Sequence, residues 1–329
     1  MTVNLALLGA GRIGQVHAQA IHSIPEARLL AVSDPAPDAA GAVTARFGGV
    51  AMSVEDIRDH ADIDAVLICT PTNIHADLIE TFARAGKAVF CEKPIDLSLD
   101  RVQACLQVVS DTDATLMIGF NRRFDPHFAA LKASIDQGDI GAVEMITITS
   151  RDPGAPPAAY LKTSGGIFKD MSIHDFDMAR FLLGEEVVEV TAKASVLIDP
   201  VFAECGDYDS ASIILTTASG RQCLISNSRR ASYGYDQRIE VHGALGMLSA
   251  KNQRPVDIEI ATATGFTKPP LHDFFMTRYT AAYAAEIRAF IDCVAGQATP
   301  SPSGQDGAKA LAIAEAALKS VQTGRSVAL

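Results

Sequence analysis

A chain of 329 residues is long enough for two domains, each with its own apolar core. Its net charge of −11 and its lack of Lys/Arg blocks argue against nucleic acid or an anionic membrane as partner, and leave a small soluble substrate as the natural ligand. Six cysteines (Cys69, Cys91, Cys105, Cys205, Cys223, Cys293) stand far apart with no C-x-x-C pair, so neither a disulfide framework nor a metal site is expected.

The segment VNLALLGAGRIGQVHAQAI reads as a buried strand starting by about Val3, a glycine turn and an amphipathic helix. This leaves no room for a signal peptide, and no apolar run approaches membrane-spanning length, so the expected location is cytoplasmic. Gly9, Gly11 and Gly14 spell G-x-G-x-x-G. The first glycine permits the tight turn, the second lets backbone approach a pyrophosphate, and the third allows close helix–strand packing. Gly9, Gly11, Arg12, Ile13 and Gly14 are therefore candidate cofactor contacts. The next strand, ARLLAVSD, ends at Asp34, where a carboxylate would bind the adenosine ribose. Between Ser33 and Thr44 no Lys or Arg is present to hold a 2′-phosphate, which favours NAD over NADP.

DAVLICT is a further apolar strand, and Thr70, Thr72, Asn73 and His75 follow at its carboxyl end, either as turn and capping residues or as cofactor contacts. KAVFCEKP stops a fifth strand at Glu92, Lys93 and Pro94, with Pro94 forcing Lys93 into an extended conformation or a cis bond. A lysine held there is hard to explain as a solvated surface residue. PHFAALKASIDQG then reads as a helix and GAVEMITITSRD as a strand.

The segment GGIFKDMSIHDFDMARFLLG, Gly165 to Gly184, has helical apolar periodicity and places Asp170 and His174 four residues apart, on one helix face. Gly165 and Gly166 would let the preceding backbone come close to a bound molecule. The runs VVEVTAKASVLI, SASIILTTA, RQCLISNSRR, DQRIEVHG, GMLSAK and VDIEIAT suggest one antiparallel sheet. Ile213, Leu215 and Ile225 are expected on its second face, buried in a subunit interface. Helices from about Tyr279 to Val294 and from about Gly307 to Thr323, the latter capped by Gly324, close the chain.

The glycine turn, T-P-T-N-x-H, E-K-P, G-F-N-R-R-F-D and D-x-x-x-H occur in the order that resembles the Gfo/Idh/MocA family of NAD(P)-dependent sugar and polyol dehydrogenases. SRDPGAPP, the Gly165 to Gly184 segment and YGYDQRIEVHG look most like the inositol dehydrogenases of that family. The resemblance implies an α/β protein: a Rossmann domain with a doubly wound parallel sheet over residues 1–120, then an α+β domain with a large open, mainly antiparallel sheet over residues 121–329. The second domain would bind substrate and join four subunits through its sheet.

The resemblance also assigns Lys93, Asp170 and His174 as the catalytic group, with Glu92 and Lys93 against the cofactor. Substrate contacts carried over in the same way are Asn121, Arg122, Asp152 and Tyr235, with Tyr283 added at the start of the penultimate helix. For Arg122 beside Arg123 a helix-end salt bridge stands as the alternative, and for Tyr235 a sheet-edge aromatic. Asn121 before the double arginine and Phe274-Phe275 depart from some relatives and bear on which stereoisomer fits. The expected reaction is oxidation of myo-inositol with NAD. Other readings are the same chemistry on scyllo-inositol, another inositol or a pyranose, an NAD-retaining glycosidase, and an NAD sensor without turnover.

Overall fold

The computed structural model describes residues 2–329. The first part of the chain alternates strands and helices: β1 (Val3–Leu8), α1 (Arg12–His22), β2 (Ala27–Ser33), α2 (Pro37–Phe47), β3 (Val50–Ala51), α3 (Val54–Asp59), β4 (Ala65–Ile68), α4 (His75–Arg84), β5 (Ala88–Glu92), α5 (Leu99–Asp111) and β6 (Leu116–Gly119). These strands pair in parallel in the order β3-β2-β1-β4-β5-β6. Parallel strands covered on both faces are apolar throughout, and Leu5, Leu7, Val66, Leu67, Val89 and Phe90 are all buried. The strand order reverses between β1 and β4, the switch point at which open α/β sheets bind ligands.

The remainder comprises α6 (Pro126–Gln137), β7 (Val143–Arg151), α7 (Ala158–Leu161), α8 (Ile173–Leu183), β8 (Val187–Ser195), α9 (Val201–Glu204), β9 (Ser210–Thr217), β10 (Gln222–Ser228), β11 (Asp236–Gly243), β12 (Gly246–Ala250), β13 (Ile260–Thr262), β14 (Gly265–Thr267), α10 (Phe275–Arg278), α11 (Thr280–Val294), α12 (Gly304–Thr323) and β15 (Val327–Ala328). The larger sheet runs β12-β11-β7-β10-β9-β8-β15. It is mainly antiparallel, but β10 runs parallel to β7.

Two expectations for this sheet are corrected. Ile213, Leu215 and Ile225 do not form a free face: all three are buried, with Ile213 opposite both Ile225 and Ala192. The outward positions are one residue away, where Ile214 lies opposite Leu224, and exposed Met145 and Met247 share that side. Alternation fixes which residues share a face, and a shift of one residue exchanges the faces. The VDIEIAT segment also leaves the sheet. Its end, β13, pairs only with β14 in a small exposed hairpin.

The chain forms two compact units, one comprising the residues up to Phe124 together with Thr280–Leu311, the other Asp125–Tyr279 together with Ala312–Leu329. This differs from the expected single division at residue 120. The chain returns to the first unit because α11 packs on α1, Ser303 bridges to Met117 of β6, and Arg123 donates to Asp306 at 3.1 Å. The second unit is tied internally by the buried Arg278–Asp125 pair, whose carboxylate also caps α6 by accepting from the amides of His127 and Phe128.

Candidate functional site

In the first unit the glycine turn joins β1 to α1. Gly9 has φ +96°, and a Cβ added there would lie 2.5 Å from the Cys69 carbonyl oxygen. A Cβ at Gly14 would lie 2.0 Å from the Gly9 carbonyl oxygen, so this glycine lets helix and strand meet. A Cβ at Gly11 would meet nothing within 4 Å. That open space borders the N-terminus of α1, which has Gly11 as N-cap and no acidic residue in its first turn. Free amides and an uncompensated helix dipole suit a pyrophosphate. Arg12 is exposed and Ile13 half-buried at the same helix start. A second sign of fit comes from the end of β4, where Thr70 Oγ1 is buried without a hydrogen-bond partner. The residues present therefore fit a dinucleotide.

Asp34 follows β2. One carboxylate oxygen accepts from the Ala10 amide at 2.7 Å and the other from Ala36 at 2.8 Å. It thus fixes the glycine turn, while each oxygen retains capacity for a ribose hydroxyl. The negative charge also opposes a 2′-phosphate. Asp34→Asn, which keeps an acceptor, is expected to raise the NADP/NAD ratio of kcat/KM at least about tenfold; an unchanged ratio in steady-state assays would remove Asp34 as the discriminating residue.

Thr72 is half-buried and Asn73 exposed on a short 3₁₀ turn, Thr72–Ile74. His75 is placed differently. Its ring is buried, with Nδ1 2.8 Å from the Pro94 carbonyl and Nε2 2.7 Å from the Thr70 carbonyl, and burial pushes its pKa down. It binds the end of β4 to the segment after β5. Glu92 is held from the other side: its carboxylate lies 2.7 Å from Nε2 of His17, a fully buried residue of α1. Half-buried Lys93 therefore sits between two anchored neighbours, and the Lys93–Pro94 peptide is cis. Asn121 and Arg122 are buried on the 3₁₀ turn after β6, where Asn121 Nδ2 has no hydrogen-bond partner. Tyr283 is buried edge-on against His17, ring centroids 5.3 Å apart.

In the second unit a π-helical turn, Phe168–Ser172, stands where α-helix was expected, and α8 begins directly after it. Such wide turns are rare, and those that occur are frequently at functional sites. Asp170 lies in the turn and His174, half-buried, in the first turn of α8. The close approach permitted by Gly166 (φ +80°) is to Asp207, not to open space: a Cβ there would lie 2.7 Å from Asp207 Oδ1, which accepts from the Ile167 amide at 2.8 Å. Asp175, beside His174, is fully buried. It accepts from Ser150 Oγ of β7 at 2.6 Å and from Asn227 Nδ2 of β10 at 2.7 Å, anchoring the helix start on the sheet.

Two residues absent from the sequence-based candidates complete this half. Arg229, 3% exposed, donates from Nη2 to Asp170 at 2.8 Å and from Nη1 to Asp152 at 3.1 Å. Burial opposes the guanidinium charge, but Asp170 and Asp152 outweigh it and raise its pKa. Tyr160 donates its hydroxyl to the other oxygen of Asp170 at 2.7 Å; desolvation and the Asp170 charge raise its pKa, so it stays a donor. Tyr235 is buried immediately before β11, edge-on to Phe274 and Tyr279 at 5.5 and 6.0 Å. Among the described residues no group of three or more His, Cys, Asp or Glu could hold a metal ion, and no helix is long and apolar enough to cross a membrane.

Comparison with known proteins bears directly on these two halves. The oxidoreductase family's NAD-binding Rossmann fold matches residues 3–120, and its C-terminal alpha/beta domain matches residues 132–329. Inositol 2-dehydrogenase of Rhizobium meliloti is 64% identical over 329 residues, covering 100% of both chains. The crystal structure of a putative myo-inositol dehydrogenase from Sinorhizobium meliloti superposes with a TM-score of 0.98 at 64% identity over 99% of each chain. That of scyllo-inositol dehydrogenase from Lactobacillus casei, with bound NAD(H) and scyllo-inositol, gives 0.92 at 30% identity, covering 100% of this chain and 99% of that one. With both of its domains matched along nearly their whole length, the chain belongs to the Gfo/Idh/MocA oxidoreductase family.

Proposed function

We infer that the protein is an NAD-dependent inositol 2-dehydrogenase that oxidises myo-inositol to 2-keto-myo-inositol (scyllo-inosose). The observation that carries this reading is the 64% identity, over the full length, to an inositol 2-dehydrogenase.

NAD, when bound, supplies the hydride acceptor. The chain's own residues must then remove the hydroxyl proton and stabilise the developing alkoxide. His174 takes the proton, since a neutral imidazole is the side chain whose ordinary pKa lies nearest working pH. The Lys93 ammonium stabilises negative charge on the reacting oxygen. Asp170 accepts a hydrogen bond from a ring hydroxyl and orients it, because its two donors, Arg229 and Tyr160, keep it in the acceptor state. The remaining hydroxyls are read by Asn121, Arg122, Asp152 and Tyr235, with Tyr283 as a further contact. Polyols differ only in the placement of hydroxyls, and a site with buried donors and acceptors rejects a mismatched one strongly.

The second reading is scyllo-inositol as preferred substrate, favoured by the likeness to the scyllo-inositol dehydrogenase with that ligand bound. Steady-state kcat/KM across myo-, scyllo- and D-chiro-inositol and glucose separates the two. The present reading expects myo-inositol to lead, and leadership by scyllo-inositol would transfer the assignment.

The assembly proposed is a homotetramer joined through the outer face of the larger sheet. Ile214 and Leu224, paired across β9 and β10 and exposed, lie at the middle of that face. Ile214→Lys with Leu224→Lys is expected to yield dissociated subunits in light scattering. An unaltered tetramer would move the interface elsewhere.

A further inference from the structure

We propose that Arg229 is a positioning residue that fixes Asp170 as an ionised acceptor and holds Asp152 beside it, so that one buried guanidinium presents two carboxylates to one polyol. This rests on the reading of Asp170 as a substrate contact. Arg229 lies immediately after β10, Asp152 immediately after β7, and Asp170 in the π-helical turn. Three segments distant in sequence therefore meet on one side chain, 59 residues from Asp170 and 77 from Asp152. Two carboxylates brought together without a cation repel, and one takes up a proton. The guanidinium removes that repulsion, and its planar fork fixes the direction of both groups.

Tyr160 of α7 donates to the second oxygen of Asp170, so both oxygens face donors. Asp207, after α9, is buried; burial raises its pKa, and the Arg229 charge acts against that. Lys169, the neighbour of Asp170 in the turn, is directed to Glu315 at 3.1 Å. His174 follows in the first turn of α8. Arg229 and Tyr160 together make Asp170 a poor proton acceptor and a good hydroxyl acceptor. That division of labour leaves proton removal to His174.

The test uses the full-length protein with 13C-labelled aspartate carboxyls, the Asp170 resonance being identified by its loss in Asp170→Asn. In Arg229→Gln the Asp170 carboxyl is expected to titrate about one pH unit or more higher than in the parent. Arg229→Lys, which restores the charge without the fork, is expected to return most of that shift. Tyr160→Phe, at an exposed position, moves the titration in the same direction by less, and Arg229→Met, which keeps the apolar stem without the charge, is read in place of Arg229→Gln if that variant does not fold. In turnover, Arg229→Gln loses roughly 100-fold in kcat/KM with inositol, chiefly through KM, and its acidic limb moves to higher pH. An Asp170 titration in the uncharged Arg229 variant that equals the parent's overturns the proposal. The carboxyl titration needs no substrate, so a parent protein that oxidises no inositol while the shift persists would refute the functional reading and leave the clamp standing.

Discussion

Alanine in place of Lys93 or His174 is expected to lower kcat with inositol by about 10³-fold, while NAD binding, read by fluorescence titration, changes far less. The asymmetry follows from what each side chain is assigned to do. A general base and a cation beside a developing alkoxide act on charge that exists only as the reaction proceeds, so their loss falls on the chemical step. The backbone that presents Lys93 remains anchored in the variant, since Glu92 is held by His17 and the Pro94 carbonyl by His75. Likewise His174→Ala leaves the start of α8 tied to the sheet through Asp175, Ser150 and Asn227. Turnover near that of the parent in either variant would remove that residue from the mechanism.

Gly14 and Gly11 of the β1–α1 turn should respond to the same substitution in opposite ways. Gly14→Ala places a methyl group 2.0 Å from a backbone carbonyl oxygen, where no side chain is available to move aside. A loss of about 3 kcal/mol or more, seen as a lowered midpoint in denaturant, is expected. Gly11→Ala places its methyl in open space, so stability should stay at the parent level. The methyl then occupies room that the pyrophosphate needs, and the dissociation constant for NAD should rise at least about tenfold. If Gly11→Ala bound NAD as the parent does, the pyrophosphate would not lie over that turn.

The Rossmann half was legible in the sequence because its signals are local. Uninterrupted apolar runs mark strands covered on both faces, and the glycine spacing marks the turn between β1 and α1. The second half gave up less. Ile213 and Ile214 are adjacent and both apolar, so alternation alone did not say which faced the core. VDIEIAT alternates like a sheet strand, yet its end pairs within a local hairpin. Return of the chain to the first unit through α11 depends on packing against α1, which sequence order does not encode.

The same contrast holds for the candidate site. Lys93, Asp170 and His174 stand in recognisable short motifs, whereas Arg229 and Tyr160 matter only through their partners in space. One missed residue did leave a local signal. His17 falls on the buried stripe of α1 with Gly14, Ala18 and Ile21, a polar residue at a core position, which asks for a buried partner such as Glu92.

Oxidation of an inositol at carbon 2 by hydride transfer to NAD can be followed with myo-inositol deuterated at that carbon. Reduced nicotinamide is expected to accumulate carrying the deuterium, in step with formation of the 2-ketone. Accumulation of undeuterated NADH, or none at all with NAD bound, would contradict that reaction.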